Sequence, residues 1–238
     1  MWKLLVDLVY PRRCDSCGRS ASDVVCDSCL EGVQWHQGPA CARCGACLAV
    51  VATSPGRCPE CRGKRIDFDS AVSLGAYQGR LRDLVIAFKH PNHRLVGDLF
   101  ANQLAAKLDG RAYDLIVAVP MHRWDFVWRA HNPAAELAAA LSKRTRTPFA
   151  PGALQKRRRT RPQKILPLAE RLGNPLGAFH APAGSVGRVL LVDDVLTTGA
   201  TLSECARILK AAGAARVDAA VVARDQAALT VELLAGEG

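Results

Sequence analysis

Nine of the ten cysteines in this chain of 238 residues fall between Cys14 and Cys61, and their spacing limits the possible folds more than any other feature. Cys14, Cys17, Cys26 and Cys29 read C-x2-C-x8-C-x2-C, and Cys41, Cys44, Cys58 and Cys61 read C-x2-C-x13-C-x2-C. A C-x-x-C pair supplies two thiolates from one tight turn, and two pairs fill the corners of a tetrahedral zinc site. Glycine follows the first pair of each set, in CDSCG and CARCG, where a turn reversing around a metal favours a residue without a Cβ. The second set therefore reads as a duplicate of the first. With every position taken by sulfur, neither site keeps an opening for catalysis, so both are expected to be structural.

Disulfides are the rival use of these residues. The opening MWKLLVDLVYPRRC carries Asp7 in its apolar run and lacks a small-residue cleavage site, which argues against an export signal. A reducing cytoplasm keeps thiols free. An iron–sulfur cluster suits two repeated sets of short-range pairs less well than zinc. Sequential pairing within each set is favoured, although spacing alone leaves interleaved pairing open. Cys47 forms a further C-x-x-C with Cys44 and is an alternative to Cys41, against which the glycine argument weighs. The opening stretch itself has the apolar spacing of a short amphipathic helix packed on the body, ended by Pro11.

From Phe68 onward the pattern changes to strands alternating with helices. FDSAVSLGAY (68–77) reads as a strand, and GRLRDLVIAFKH as a helix with Leu81, Leu84, Val85 and Phe88 on one face. Helical spacing continues from Leu95 to Leu108. YDLIVAVP is a short apolar run ended by Pro120. NPAAELAAALSKR places Asn132 as N-cap, Pro133 at the first helical position and basic residues in the last turn. RVLLVDD and ARVDAAVVAR read as buried strands around the helix ATLSECARILKAAG, which Gly213 closes. Uninterrupted apolar strands separated by helices predict an α/β fold whose parallel sheet is covered on both faces. The composition shift divides the chain into a cysteine module, 1–66, and an α/β domain, 67–238.

Between RVLLV and the last helix lies the chemistry. Asp193 and Asp194 stand side by side at the end of a buried strand, and TTGAT follows at a helix N-terminus, where N–H groups and the dipole favour an anion. Gly199 permits close backbone approach, and Thr197, Thr198 and Thr201 add hydroxyls. The G-x-x-x-x-G-K-[ST] of an ATP-type loop is missing. A phosphate held next to two carboxylates that accept from hydroxyls describes a ribose 5-phosphate. The net charge of +10 also suits a polyanionic partner, either nucleic acid or a phosphorylated small molecule, although composition bias alone can produce it.

VLLVDDVLTTGAT resembles the signature of type I phosphoribosyltransferases, whose substrate is phosphoribosyl pyrophosphate (PRPP). The resemblance implies that Asp193 and Asp194 are the catalytic acids holding the ribose hydroxyls. It also implies that Val195, Leu196, Thr197, Thr198, Gly199, Ala200 and Thr201 line the PRPP site, with the 5-phosphate on Thr197–Thr201. Joined to a double zinc ribbon, this type I phosphoribosyltransferase-like domain resembles the ComF family of competence-associated proteins over nearly the whole chain. VAVPMHR resembles the loop that faces pyrophosphate. RTRPQKILPLAERLGNPLGAF resembles the family's mobile segment, with Arg159, Gln163, Leu166, Arg171 and Asn174 on its pattern. One departure is RAHN (129–132) in place of R-G-F-N, where alanine lacks glycine's freedom. The basic run QKRRRTRPQK is suited to closing over pyrophosphate.

Lys89 and Arg123 are further candidate phosphate ligands. No metal or triad spacing marks His90, His93 or His131; Trp124, Phe126 and Trp128 suit packing, and Cys205 suits a buried helix face. The resemblance implies PRPP with Mg²⁺, two structural zinc ions, a cytoplasmic place at the inner face of the membrane, and work with single-stranded DNA and other DNA-uptake proteins. The alternatives are an orphan salvage phosphoribosyltransferase acting on a nucleobase or amine, and a non-catalytic adaptor for nucleic acid or protein. Nothing approaches the roughly 18–20 apolar residues of a membrane span.

Overall fold

The computed structural model describes residues 13–48, 58, 61, 64–122, 131–158, 175–182, 184 and 187–226. The expected N-terminal amphipathic helix, Trp124, Phe126, Trp128, and the site candidates Arg123, Arg159 and Gln163 lie outside these residues, as do Leu166, Arg171 and Asn174. In chain order the elements are α1 (Asp27–Glu31), β1 (Ser70–Ala76), α2 (Gly79–Phe88), a 3₁₀ turn (Pro91–His93), α3 (Arg94–Lys107), β2 (Leu115–Ala118), α4 (Pro133–Thr145), β3 (Gln155–Lys156), β4 (Phe179–His180), β5 (Gly187–Leu196), α5 (Ala200–Ala211) and β6 (Ala214–Arg224). The strands form a four-stranded sheet in the order β1-β6-β5-β2, and every neighbouring pair is parallel.

Why the strands are apolar on consecutive residues is visible in their two faces. Leu190 and Val192 of β5 and Ala220 and Val222 of β6 join Leu81, Leu84, Phe88, Phe100, Leu104, Leu137 and Leu141 from α2, α3 and α4. Val189 and Leu191, with Val217, Ala219 and Val221, meet Leu202, Cys205, Ala206 and Leu209 of α5 on the other side. Side chains alternate across a strand, so a strand buried on both faces must be apolar throughout. Cys205 is fully buried in the second core, as its helical position suggested.

The cysteine segment is not an appendage. Cys14, Val25, Cys29 and Val33 pack in the same core as Leu74, Leu81 and Leu84. The backbone of the segment also covers the outer edge of β1. His36 N–H donates to Leu74 O at 2.7 Å and Ala71 N–H to Ala42 O at 3.2 Å, while Ser73 Oγ donates to Gly45 O at 2.6 Å. An edge strand left bare would offer unpaired backbone groups to another chain. On the opposite edge, Ile116 of β2 exchanges backbone bonds with Pro148 and Ala150.

β3 and β4 form a separate antiparallel pair that the sequence did not announce. They tie together the two ends of the segment containing Arg159 and Gln163. Arg157 N–H donates to Ala178 O at 2.8 Å, and Phe179 inserts into the α5-side core. None of the helices among the described residues is long and apolar enough to cross a membrane.

Candidate functional site

The eight cysteines gather into two groups, Cys14, Cys17, Cys26, Cys29 and Cys41, Cys44, Cys58, Cys61, each with its sulfurs within 4.8 Å of one another. Pairing is sequential. Four sulfurs about 2.3 Å from a central zinc form a tetrahedron with edges of about 3.8 Å. Three Sγ separations agree, 3.9 Å for Cys17–Cys26 and 3.8 Å for both Cys41–Cys61 and Cys58–Cys61, while Cys44–Cys58 is shorter at 3.3 Å. Burial and the neighbouring Cys41 and Cys58 push the Cys61 thiol up to about 11, whereas at Cys41 burial is outweighed by backbone hydrogen bonds, which bring the thiol down to about 7.

The duplication extends to the backbone. Gly18 N–H donates to Cys14 O and Gly45 N–H to Cys41 O, both at 2.8 Å, with φ of +73° and +69°, a conformation that suits glycine. Arg13 bridges Ser20 as Ala40 bridges Cys47. Cys47 is therefore the counterpart of Ser20, outside the cluster, and its backbone N–H and C=O are held by the Gln226 side chain at 3.1 and 3.0 Å.

The two groups differ in exposure. Cys41, Cys44, Cys58 and Cys61 are all buried, whereas Cys17 and Cys26 are half-buried. Arg19 Nε–H donates to Cys17 Sγ at 3.4 Å, a bond that lowers that thiol to about 6. Metal analysis should find two zinc ions per chain, and limited alkylation read by mass spectrometry should mark Cys17 and Cys26 before any cysteine of the second group. One zinc per chain, or labelling that begins at Cys44 or Cys58, would contradict this description.

The second constellation sits at the C-terminal rim of the sheet. α4, which follows β2 in the chain, packs on one face, and α5, which follows β5, packs on the other. Ligands of open α/β sheets bind where neighbouring strands send their connections to opposite faces, and here that crevice lies between β2 and β5. Asn132 frames it twice over. Its Oδ1 caps α4 by accepting from Ala134 N–H at 3.1 Å, and its Nδ2 donates to Val119 O at 3.2 Å, tying down the loop that leaves β2. His131, from the unusual RAHN, is buried and lies 3.3 Å through Nε2 from Phe88 O, so it packs within the fold.

By strand alternation, Asp193 continues the α5 face of β5 and Asp194 the α2 face. Each carboxylate accepts the next backbone N–H, Asp193 from Asp194 at 2.9 Å and Asp194 from Val195 at 2.7 Å. Lys89, the C-cap of α2, places Nζ 2.8 Å from Asp194 Oδ2. Burial alone would lower Lys89, but Asp194 outweighs it and holds the ammonium above its ordinary range. Asp193 is pushed well above the usual carboxylate range, by burial first and by Asp194 second.

β5 then runs through Val195 and Leu196 into the turn Thr197–Gly199. Gly199, the N-cap of α5, has φ of +83°. A Cβ there would meet Phe68 at no less than 3.8 Å, so conformation rather than space calls for glycine. Thr198 Oγ1 accepts from Ala200 N–H at 3.3 Å. Thr197, Thr198 and Thr201 are all partly exposed around this helix start.

Two residues that the sequence reading passed over support this turn. Arg224, ending β6, is 2% exposed and reaches the carbonyls of Leu196 and Thr197. Glu204, on the helix behind the turn, is buried. It accepts from Gly177 N–H at 2.9 Å and from Arg207 at 2.8 Å, fastening the far end of the segment that carries Arg159 and Gln163.

With this geometry in place, comparison with known proteins defines the class. The phosphoribosyl transferase domain family matches residues 97–233, more than half of the chain, and the chain belongs to that family. A double zinc ribbon domain matches residues 5–62. The combination is similar to Competence protein F of Haemophilus influenzae, 27% identical over 215 residues that cover 86% of this chain and 92% of that one. Competence protein ComFC of Streptococcus pneumoniae is 23% identical over 217 residues, 85% and 95% of the two chains. DNA utilization protein YhgH of Escherichia coli is 27% identical over 201 residues, 81% and 87% of the two chains. The resemblance to competence proteins of the ComF type thus runs through both halves of the chain.

Proposed function

We propose that this protein binds PRPP at the β5 rim and acts in the handling of incoming DNA at the cytoplasmic side of the membrane. The observation that carries the binding is the unbroken sequence of β5, acidic pair, glycine-bearing turn and α5 N-terminus. In this reading the turn and helix start, Thr197–Thr201, hold the 5-phosphate through N–H groups and hydroxyls. Asp193 and Asp194 accept the ribose hydroxyls from either side of the strand end. The pyrophosphate lies toward the loop after β2, with Lys89, Arg123, Arg159 and Gln163 as its cationic and polar surround. Mg²⁺ travels with PRPP and neutralises the pyrophosphate as a leaving group.

Zinc is assigned to both cysteine groups, where it holds the segment that covers β1. The role in DNA handling is supported by the names of the similar proteins, two of them competence proteins and one a DNA utilization protein. The basic excess of the chain favours a polyanionic partner such as single-stranded DNA.

Whether phosphoribose is transferred is decided by incubating the purified protein with PRPP, Mg²⁺ and a panel of nucleobases and amines while pyrophosphate release is followed. Transfer breaks the C1–O bond to pyrophosphate and joins C1 to the acceptor. Release that depends on one acceptor identifies a salvage enzyme. Tight PRPP binding with no release on any acceptor identifies PRPP as a ligand that controls an adaptor.

A further inference from the structure

The buried Arg224 lies beneath the turn to which the 5-phosphate is assigned, and its contacts give it a defined task. Within the sheet the Leu196 carbonyl is already held, accepting from Asp225 N–H at 2.9 Å. Arg224 Nη1 adds a bond to that same oxygen at 3.0 Å, and also donates to the Thr197 carbonyl and to its neighbour Asp225. Thr197 follows the last residue of β5, Leu196. Arg224 thus holds one more peptide of the turn in line with the strand.

The planar trans peptide makes this consequential. The C=O of one residue and the N–H of the next point in opposite directions, so drawing the Thr197 carbonyl down onto the guanidinium turns the Thr198 N–H up, away from the core. A carbonyl oxygen facing the ligand would repel a phosphate, whereas an N–H there attracts it. The base of Arg224 is fixed as well, since its own carbonyl accepts from Tyr77 N–H at 2.8 Å.

We propose that Arg224 is a positioning residue for an anion, holding the Thr197 carbonyl inward so that the turn presents N–H groups to a sugar 5-phosphate. It touches the loop and not the ligand. The proposal rests on the PRPP reading above and adds to it the residue that shapes the phosphate subsite.

The test compares ribose 5-phosphate and inorganic pyrophosphate as probes, titrated calorimetrically with Mg²⁺ into wild type, Arg224→Met and Arg224→Lys. Methionine fills the space without donors. It should weaken ribose 5-phosphate by about tenfold or more, the loss of an oriented hydrogen-bonding group, while pyrophosphate binding stays within about twofold. Lysine, which restores one donor, should recover part of the loss. A merely structural arginine would weaken both probes together or neither, and either result in the folded Lys variant overturns the proposal even where the Met variant does not fold. Wild-type protein that binds neither ribose 5-phosphate nor PRPP overturns the PRPP reading itself. Normal wild-type binding with equal affinity in both variants overturns only the role of Arg224.

Discussion

Replacing Cys14 by serine is expected to unfold far more than the cysteine segment. Cys14 is 2% exposed and shares one core with Leu74, Leu81 and Leu84, so losing its metal site removes the packing beneath Leu74 of β1 and beneath Leu81 and Leu84 of α2. A structural zinc site contributes about 10–16 kcal/mol in small modules, as much as the entire stability of an ordinary domain, about 5–15 kcal/mol. Circular dichroism should therefore show the cooperative thermal transition of the whole chain lost or lowered by tens of degrees, with zinc content falling toward one per chain. Cys47→Ser, outside both clusters, should keep both metals and the wild-type transition. A Cys14→Ser protein whose α/β sheet melts as in wild type would show that the segment and the sheet fold independently.

The acidic pair should separate stability from binding. A carboxyl whose folded pKa is raised costs stability once the pH rises above its unfolded value of about 3.9, and Asp193 is such a group. Asp193→Asn should accordingly raise the melting temperature of the ligand-free protein at neutral pH, with the gain vanishing below about pH 4. Asp194→Asn should act in the opposite direction, because Lys89, 2.8 Å away, would lose its counter-charge. An ionic hydrogen bond of this kind is worth about 1.5–3 kcal/mol, which lowers the transition by several degrees.

Binding should suffer in both cases. Each ionised acceptor on a ligand hydroxyl contributes about 1.5–3 kcal/mol, so the double variant should bind PRPP on the order of a hundredfold more weakly. Removing two negative charges near an anionic ligand works the other way, but the Mg²⁺ that accompanies PRPP offsets much of that repulsion, and the lost hydrogen bonds are expected to dominate. At a PRPP concentration a hundred times the wild-type Kd, stabilisation by ligand should fall from about 2.7 to about 0.4 kcal/mol. Thermal melts with and without PRPP read this directly, and an undiminished ligand-induced shift in the double variant would remove the acids from the ribose site.

Much of this was legible because local chemistry and fold agree. Period and apolar runs placed β5, α5 and β6 to within a few residues, and the glycine after the first C-x-x-C of each set marked a metal turn in both. What the sequence concealed depended on distant partners. Glu204 looks like an exposed helix acid until Gly177 arrives to donate to it, and Arg224 looks like the charged end of a strand until the Thr197 turn folds over it. The β3–β4 pair has two residues in each strand, too short for any periodicity. The docking of the cysteine segment on β1 was hidden for a related reason, since Ala42 and His36 make those bonds through backbone atoms that carry no sequence signal.

The central claim is a PRPP site at the end of β5, and calorimetric titration of the zinc-loaded protein with PRPP in the presence of Mg²⁺ tests it most directly. Saturable binding of one PRPP per chain, weakened on the order of a hundredfold in Asp193→Asn/Asp194→Asn, is the predicted result. A wild-type protein that gives no saturable heat, or a double variant that binds as tightly as wild type, would contradict it.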